Sequence, residues 1–164
     1  MYFNMLSSRY ATSFFCTSSL AQSGFSGMKI DIHKVEEFPY SIETLWKALT
    51  DPVALASWLM PNDFEPRVGK AFRLRGERMP GWRGWTDCVV LELEPPQRMV
   101  WSWLSTDRGP PTRVEFHLQA IDGGSRLTLT HTGDTNPIML ELFELGWNAK
   151  LQGLQTHLEG VKQQ

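Results

Sequence analysis

The chain has 164 residues, a length that fits one domain and leaves little room for two. Sixteen basic and eighteen acidic side chains give a formal net charge of −2, so the basic excess expected of a nucleic-acid partner is missing. The two cysteines, Cys16 and Cys88, form neither a CxxC motif nor a zinc-site spacing. This pattern predicts reduced thiols in a cytosolic protein without a metal or other cofactor.

The first 27 residues differ from the rest of the chain. They contain seven serines and a single charge, Arg9. A secretory signal requires an unbroken apolar stretch of about 7–15 residues, and in this segment polar residues interrupt the apolar ones. No apolar run reaches the roughly 20 residues of a membrane span. We interpret residues 1–27 as a disordered leader or a misassigned start before a domain at 28–161, with a cryptic signal or an organelle address as alternatives.

From Met28 onward the predicted elements follow in a clear order. A strand over Lys29–Phe38 precedes two short helices, Ile42–Leu49 and a second that begins at Pro52 and runs to about Trp58. Ser41 and Asp51 are the expected helix caps. Turn residues, among them the Asp122-Gly123-Gly124 hairpin, then separate five strands: Lys70–Gly76, Gly84–Glu94, Arg98–Ser105, Thr112–Ile121 and Ser125–Thr132.

The hydrophobic period then changes from two to 3.6. After Asn136-Pro137, apolar residues recur on one helical face to the end: Met139, Phe143, Trp147, Leu151, Leu154, Leu158 and Val161. A helix of about 22 residues would be roughly 33 Å long, enough to cross a sheet. We therefore predict an α+β fold in which a curved antiparallel sheet wraps around a long C-terminal helix.

Four segments resemble, in order, one branch of the SRPBCC or START-like superfamily, the branch named after the activator of the heat-shock-protein-90 ATPase. They are Phe38–Phe72, Gly84–Trp103 (GWTDCVVLELEPPQRMVWSW), Gly123–Gly133 (GGSRLTLTHTG) and Glu144–Leu158. The resemblance implies the helix-grip fold, with a cavity between the sheet and the last helix. It implies little chemistry, because this superfamily contains lipid binders, cyclases, hydroxylase domains and chaperone regulators. Two family features are missing from the sequence, the additional amino-terminal domain of the eukaryotic activator and the Rieske ligands of oxygenases.

Aromatic and polar residues on the predicted inner faces are the candidate lining of this cavity. Trp82 is expected at the rim or on a contact surface instead, and Cys88 is expected to face away from the interior. His131 and Asp87 are the polar candidates, which would orient a polar group of the ligand; a satisfied buried histidine and a strand-end aspartate are the alternatives. A slip of one residue in strand register would exchange their faces. The candidate lining comprises Trp58, Trp85, Asp87, Trp101, Trp103, Phe116, His131, Phe143 and Trp147.

No catalytic or metal-binding motif is present. The sequence lacks GxSxG, HExxH, a phosphate loop and a dinucleotide fingerprint, and its four histidines are far apart. We therefore expect the protein to bind or carry a small hydrophobic molecule such as a lipid. A chaperone-regulating (stress-response) or other protein-interaction module is one alternative, and a cyclase- or hydrolase-type enzyme that uses polar cavity residues is another.

Overall fold

The computed structural model describes residues 27–161, so residues 1–26 of the predicted leader lie outside the described residues. Six strands and three helices occur in the predicted order, each within a few residues of its predicted bounds. They are β1 (Met28–Phe38), α1 (Ile42–Thr50), α2 (Pro52–Trp58), β2 (Ala71–Arg75), β3 (Trp85–Glu94), β4 (Arg98–Leu104), β5 (Thr112–Ile121), β6 (Gly124–Thr135) and α3 (Pro137–Val161).

Side-chain caps fix where the helices begin. The Ser41 hydroxyl accepts a hydrogen bond from the Thr44 backbone N–H at the start of α1. The Asp51 carboxylate accepts from the first turn of α2, where Pro52 has no N–H to satisfy. Asn136 caps α3 by accepting from the Met139 N–H at 2.9 Å. The long helix therefore starts directly after the last strand.

All six strands form one antiparallel sheet in the order β1-β6-β5-β4-β3-β2. Buried apolar residues of α3 pack on one face of this sheet. The opposite face is covered with ion pairs, in which Arg98 contacts Glu92, Glu94 and Glu115. Because one face is apolar and the other charged, the helix has a single side on which to pack. This is the predicted α+β helix-grip arrangement.

An aromatic cluster fills part of the space between sheet and helices. The Trp101 ring lies 4.8 Å from Phe116, 5.0 Å from Phe72 and 5.4 Å from Phe64, measured between ring centroids. Trp101 and Phe116 are fully buried. The packing between these elements is therefore solid, with rings in the tilted and edge-on contacts that aromatic pairs prefer.

The predicted faces of β3 are wrong over its first half. Thr86, Cys88 and Val90 point into the core, whereas Trp85 and Asp87 lie on the outer face. A β-bulge between Val90 and Glu92 is the cause. The extra residue reverses the alternation, so that even-numbered residues face inward before it and Leu93 packs on the core after it. The predicted inward placement of Trp85 and Asp87 and the outward placement of Cys88 are therefore wrong.

The β5–β6 hairpin gives a stability prediction. A Cβ at Gly124 would collide with the Phe38 carbonyl oxygen at the end of β1. We expect Gly124→Ala to lower the free energy of unfolding, measured by urea titration, by at least about 1–3 kcal/mol. Gly123→Asn is the control, because Gly123 has φ +78°, which asparagine tolerates, and no atom lies within 4 Å of its Cβ position. Equal stability of the two variants would contradict the predicted collision.

Candidate functional site

A cavity of about 440 Å³ lies between α3 and the segment that joins β2 to β3, residues 76–84. We call it the α3 cavity. The end of α2 and the paired ends of β3 and β4 complete its wall. The lining residues are Leu59, Met60, Gly76, Glu77, Met79, Trp82, Thr86, Trp103, Ser105, Met139, Leu142, Phe143, Leu145, Gly146, Trp147 and Lys150.

One stripe of α3 forms a continuous part of the wall. Met139, Phe143 and Trp147 are four residues apart, so they project from the same side of the helix. Gly146 belongs to the same wall, and no heavy atom lies within 4 Å of the position that its Cβ would occupy. A missing side chain in the middle of a helix thus contributes directly to the empty space.

The β2–β3 segment closes the cavity opposite α3. The Trp82 ring lies against Gly76, where a Cβ would be 2.7 Å from the ring. Two backbone hydrogen bonds between Met79 and Trp82, of 3.0 and 3.2 Å, hold the turn. Gly81, with φ +86°, contacts Ile138 at the start of α3. Trp82, which the sequence placed at a rim or contact surface, therefore lies in the cavity wall.

A chain of hydrogen bonds ties α3 to the sheet behind this wall. The Trp147 indole N–H donates to Nδ1 of His131 at 3.1 Å. Nε2 of His131 lies 2.7 Å from the Thr112 hydroxyl, which in turn donates to the Trp103 carbonyl at 3.1 Å. Because Nδ1 accepts, the proton of the neutral imidazole is on Nε2, and every donor in the chain has an acceptor. We call this the His131 relay.

Burial lowers the pKa of His131 to about 3. The relay requires the same neutral form, because a protonated Nδ1 would face the Trp147 N–H with a second donor. His131 is therefore a buried histidine with both ring nitrogens engaged. It supports the wall through Trp147 and is not itself a lining residue.

Asp87 and Trp85 form a separate cluster on the outer face of the sheet. The Asp87 carboxylate accepts from Arg73 at 2.7 Å and from Arg83 at 3.0 Å. The two guanidinium groups lie 5.4 and 4.8 Å from the Trp85 ring centre, within cation–π distance. The sheet separates this cluster from His131, so the two polar candidates do not converge on one site.

The nine candidate residues therefore occupy three different environments: the α3 cavity wall, the buried interior, which includes His131, and the outer face of the sheet, which holds Trp85 and Asp87. Trp103, Phe143 and Trp147 line the α3 cavity, and whether they contact a ligand remains a prediction. Trp58, Trp101 and Phe116 are packed core, with the Trp58 N–H bonded to the Ala48 carbonyl at 2.8 Å. Most of the wall residues were not among the candidates, although Leu142 and Gly146 lie beside the predicted apolar stripe of the last helix and could have been found from it.

The polar groups of the lining are few. The Thr86 and Ser105 hydroxyls are buried and lie 2.7 Å apart, so each satisfies the other. The Trp103 indole N–H is buried and has no hydrogen-bond partner. Glu77 is exposed on the β2–β3 segment, and Lys150 is half-buried on α3. No set of three or more His, Cys, Asp or Glu residues within 27–161 is placed to hold a metal ion.

These features define a small helix-grip protein with an apolar cavity beneath its C-terminal helix. A sequence profile of the family described as activator of Hsp90 ATPase homologue 1-like proteins matches residues 39–159. The chain belongs to this family and, through it, to the SRPBCC superfamily. No helix in the described part of the chain combines the length and apolarity needed to cross a bilayer.

Solved structures support the same assignment. The Mesorhizobium loti protein MLL2253 is 27% identical with a TM-score of 0.69, covering 79% of this chain and 96% of that one. The Bacillus halodurans protein BH1534 is also 27% identical, with a TM-score of 0.64 and coverage of 78% and 96%. DynU16, from the dynemicin biosynthetic locus, shares the fold at 22% identity and a TM-score of 0.69, covering 79% of this chain and 47% of its own. No curated protein matches the chain.

The lowered pKa of His131 predicts a pH dependence of stability. The unfolded imidazole binds a proton near pH 6.5 and the folded one only near pH 3, so the free energy of unfolding rises with pH between these values and is level above them. The slope reaches about 1.4 kcal/mol per pH unit. Urea unfolding of wild type and His131→Gln at pH 5 and 7 should show a smaller loss in the variant. His33→Gln, at an exposed position, is the control, and equal losses in all three proteins would contradict the prediction.

A second prediction separates the two buried tryptophans of the wall. Trp147→Phe leaves Nδ1 of His131 without its donor, whereas Trp103→Phe removes an N–H that has no partner. Both variants lose similar ring volume. We expect Trp147→Phe to be less stable than Trp103→Phe by about 1–3 kcal/mol in chemical denaturation. Equal losses would mean that the relay contributes nothing to holding α3.

Proposed function

We propose that this protein binds a small, mainly apolar molecule in the α3 cavity. The observation that carries the proposal is a cavity of about 440 Å³ whose wall is built from aromatic, aliphatic and methionine side chains. Binding sites for small molecules typically have volumes of about 300–1,000 Å³, largely apolar walls and few polar groups. Met60, Met79 and Met139 are flexible wall residues, which suit ligands of varied shape.

The arrangement of polar groups favours binding over catalysis. His131 has both nitrogens engaged and lies behind the wall, and Asp87 is paired with two arginines on the far face of the sheet. The cyclase- or hydrolase-type alternative uses polar cavity residues, and convergence of these two residues would have favoured it. Their separation removes that support, and we do not propose a reaction.

A protein-interaction role is the second candidate. Met79 and Leu145 line the α3 cavity and expose 45% and 61% of their surface, and Ile138, which lies against Gly81 of the β2–β3 segment, exposes 59%. Clustered exposed apolar side chains are typical of contact surfaces. Replacing Ile138, which is not a lining residue, by serine would weaken a protein contact at this surface while leaving the cavity lining in place.

The test of ligand binding uses two glycines of α3. Gly146 lines the cavity and Gly160 lies at the exposed end of the helix, and neither has an atom within 4 Å of its Cβ position. A leucine at Gly146 therefore enters the cavity without a backbone collision, whereas a leucine at Gly160 enters solvent. Both changes remove a helical glycine, so each should gain up to about 1 kcal/mol of helix propensity.

We expect the neutral fluorescent probe N-phenyl-1-naphthylamine to bind wild type with micromolar affinity. Gly146→Leu should weaken this binding by at least about tenfold, which corresponds to 1.4 kcal/mol. Gly160→Leu should bind like wild type. Absence of probe binding to wild type, or unchanged binding in Gly146→Leu, would contradict the proposed function.

A further inference from the structure

Lys150 is the one basic side chain of the α3 cavity lining. It lies four residues after Gly146 and three after Trp147 on the same helix. Long side chains on a helix lean toward its N-terminus and cover the residues three and four positions earlier. The Lys150 stem is therefore placed beside the gap that Gly146 leaves in the wall.

The ammonium group has no counter-charge within residues 27–161. Glu144, the acidic residue of α3 nearest to Lys150 in sequence, lies six positions earlier and pairs with Lys34 at 3.1 Å. The other carboxylate of the lining, Glu77, lies on the opposite segment and is exposed, and it forms no ion pair with Lys150. Partial burial lowers the pKa of Lys150, because the ammonium group loses hydration and has no ion pair to offset the loss. An anion that entered the cavity would supply one.

The other polar groups inside the wall also favour an acceptor on the ligand. The hydrogen bond between the Thr86 and Ser105 hydroxyls uses the hydrogen of one of them. The hydrogen of the other hydroxyl can be donated to a ligand. The Trp103 N–H is a further buried donor without a partner. The hydroxyl pair can donate or accept, whereas Trp103 and Lys150 can only donate, so the lining side chains that act in one direction are donors, apart from the exposed Glu77.

We propose that the ligand of the α3 cavity is an amphipathic anion, with an apolar body against the aromatic wall and a carboxylate-type group paired with Lys150. This inference rests on the proposed function and adds the chemical class of the ligand. A charged hydrogen bond in a partly buried site is stronger than a neutral one. The charge therefore supplies selectivity among molecules of equal apolar size.

The experiment compares decanoate, 1-decanol and decylamine, which share an apolar chain, by displacement of N-phenyl-1-naphthylamine. Lys150→Met keeps most of the stem and removes the charge. Lys47→Met is the matched control, because Lys47 is exposed on α1 and lies outside the cavity lining. We expect Lys150→Met to weaken decanoate by about tenfold or more and to change decanol by less than about twofold. Lys47→Met should change neither.

Each other outcome overturns a specific statement. If the probe and decanol bind wild type but Lys150→Met affects decanoate and decanol equally, the anion inference fails and the proposed function stands. If decylamine binds more tightly than decanoate and loses affinity in Glu77→Gln, the cavity selects cations through Glu77 and the inference is wrong. If neither the probe nor any of the three ligands binds wild type, the proposed function itself fails.

Discussion

The position of α3 on the sheet depends on one buried hydrogen-bonded chain, the His131 relay. It joins the helix to three strands, through Trp147 on α3, His131 on β6, Thr112 on β5 and the Trp103 carbonyl on β4. Gly133 on β6 has φ +138° and lies against Thr112. A Cβ at Gly133 would be 3.0 Å from the threonine methyl group, so the glycine lets the β6 backbone run close to Thr112. Apolar packing alone tolerates sliding of a helix, whereas a directional chain with every donor satisfied defines one position.

The cavity follows from where side-chain volume is placed around that fixed helix. On the sheet the Trp101 cluster fills the interior with contacting rings, so no space remains there. On α3, Gly146 lies next to Trp147 and contributes no side-chain volume to the wall. Native interiors are packed as densely as organic crystals, and empty space persists in them where rigid neighbours prevent collapse. The relay holds Trp147 in place and so keeps the space beside it open.

The sequence was sufficient for the elements but only partly for the site. Caps at Ser41, Asp51 and Asn136 and the period of α3 are local signals, and these elements were confirmed. The faces of β3 were wrong because a bulge leaves no mark in a strand that is apolar at consecutive positions. The β2–β3 segment joined the wall through tertiary contacts of Trp82 with Gly76 and of Gly81 with Ile138, which no periodicity reports.

One stretch of α3 contains both the residue that hydrogen-bonds to the sheet and the groups that would contact a ligand. The Trp147 N–H donates to His131, and the Trp147 ring lines the cavity. Gly146 directly precedes Trp147, and Lys150 follows it by three residues. A ligand that packs on this ring binds only the protein in which α3 is docked, so binding and docking stabilise each other through one residue. The catalytic residues of an enzyme must instead remain free to exchange protons. Burial keeps His131 neutral and both of its ring nitrogens are engaged, which makes the wall of the proposed binding cavity rigid.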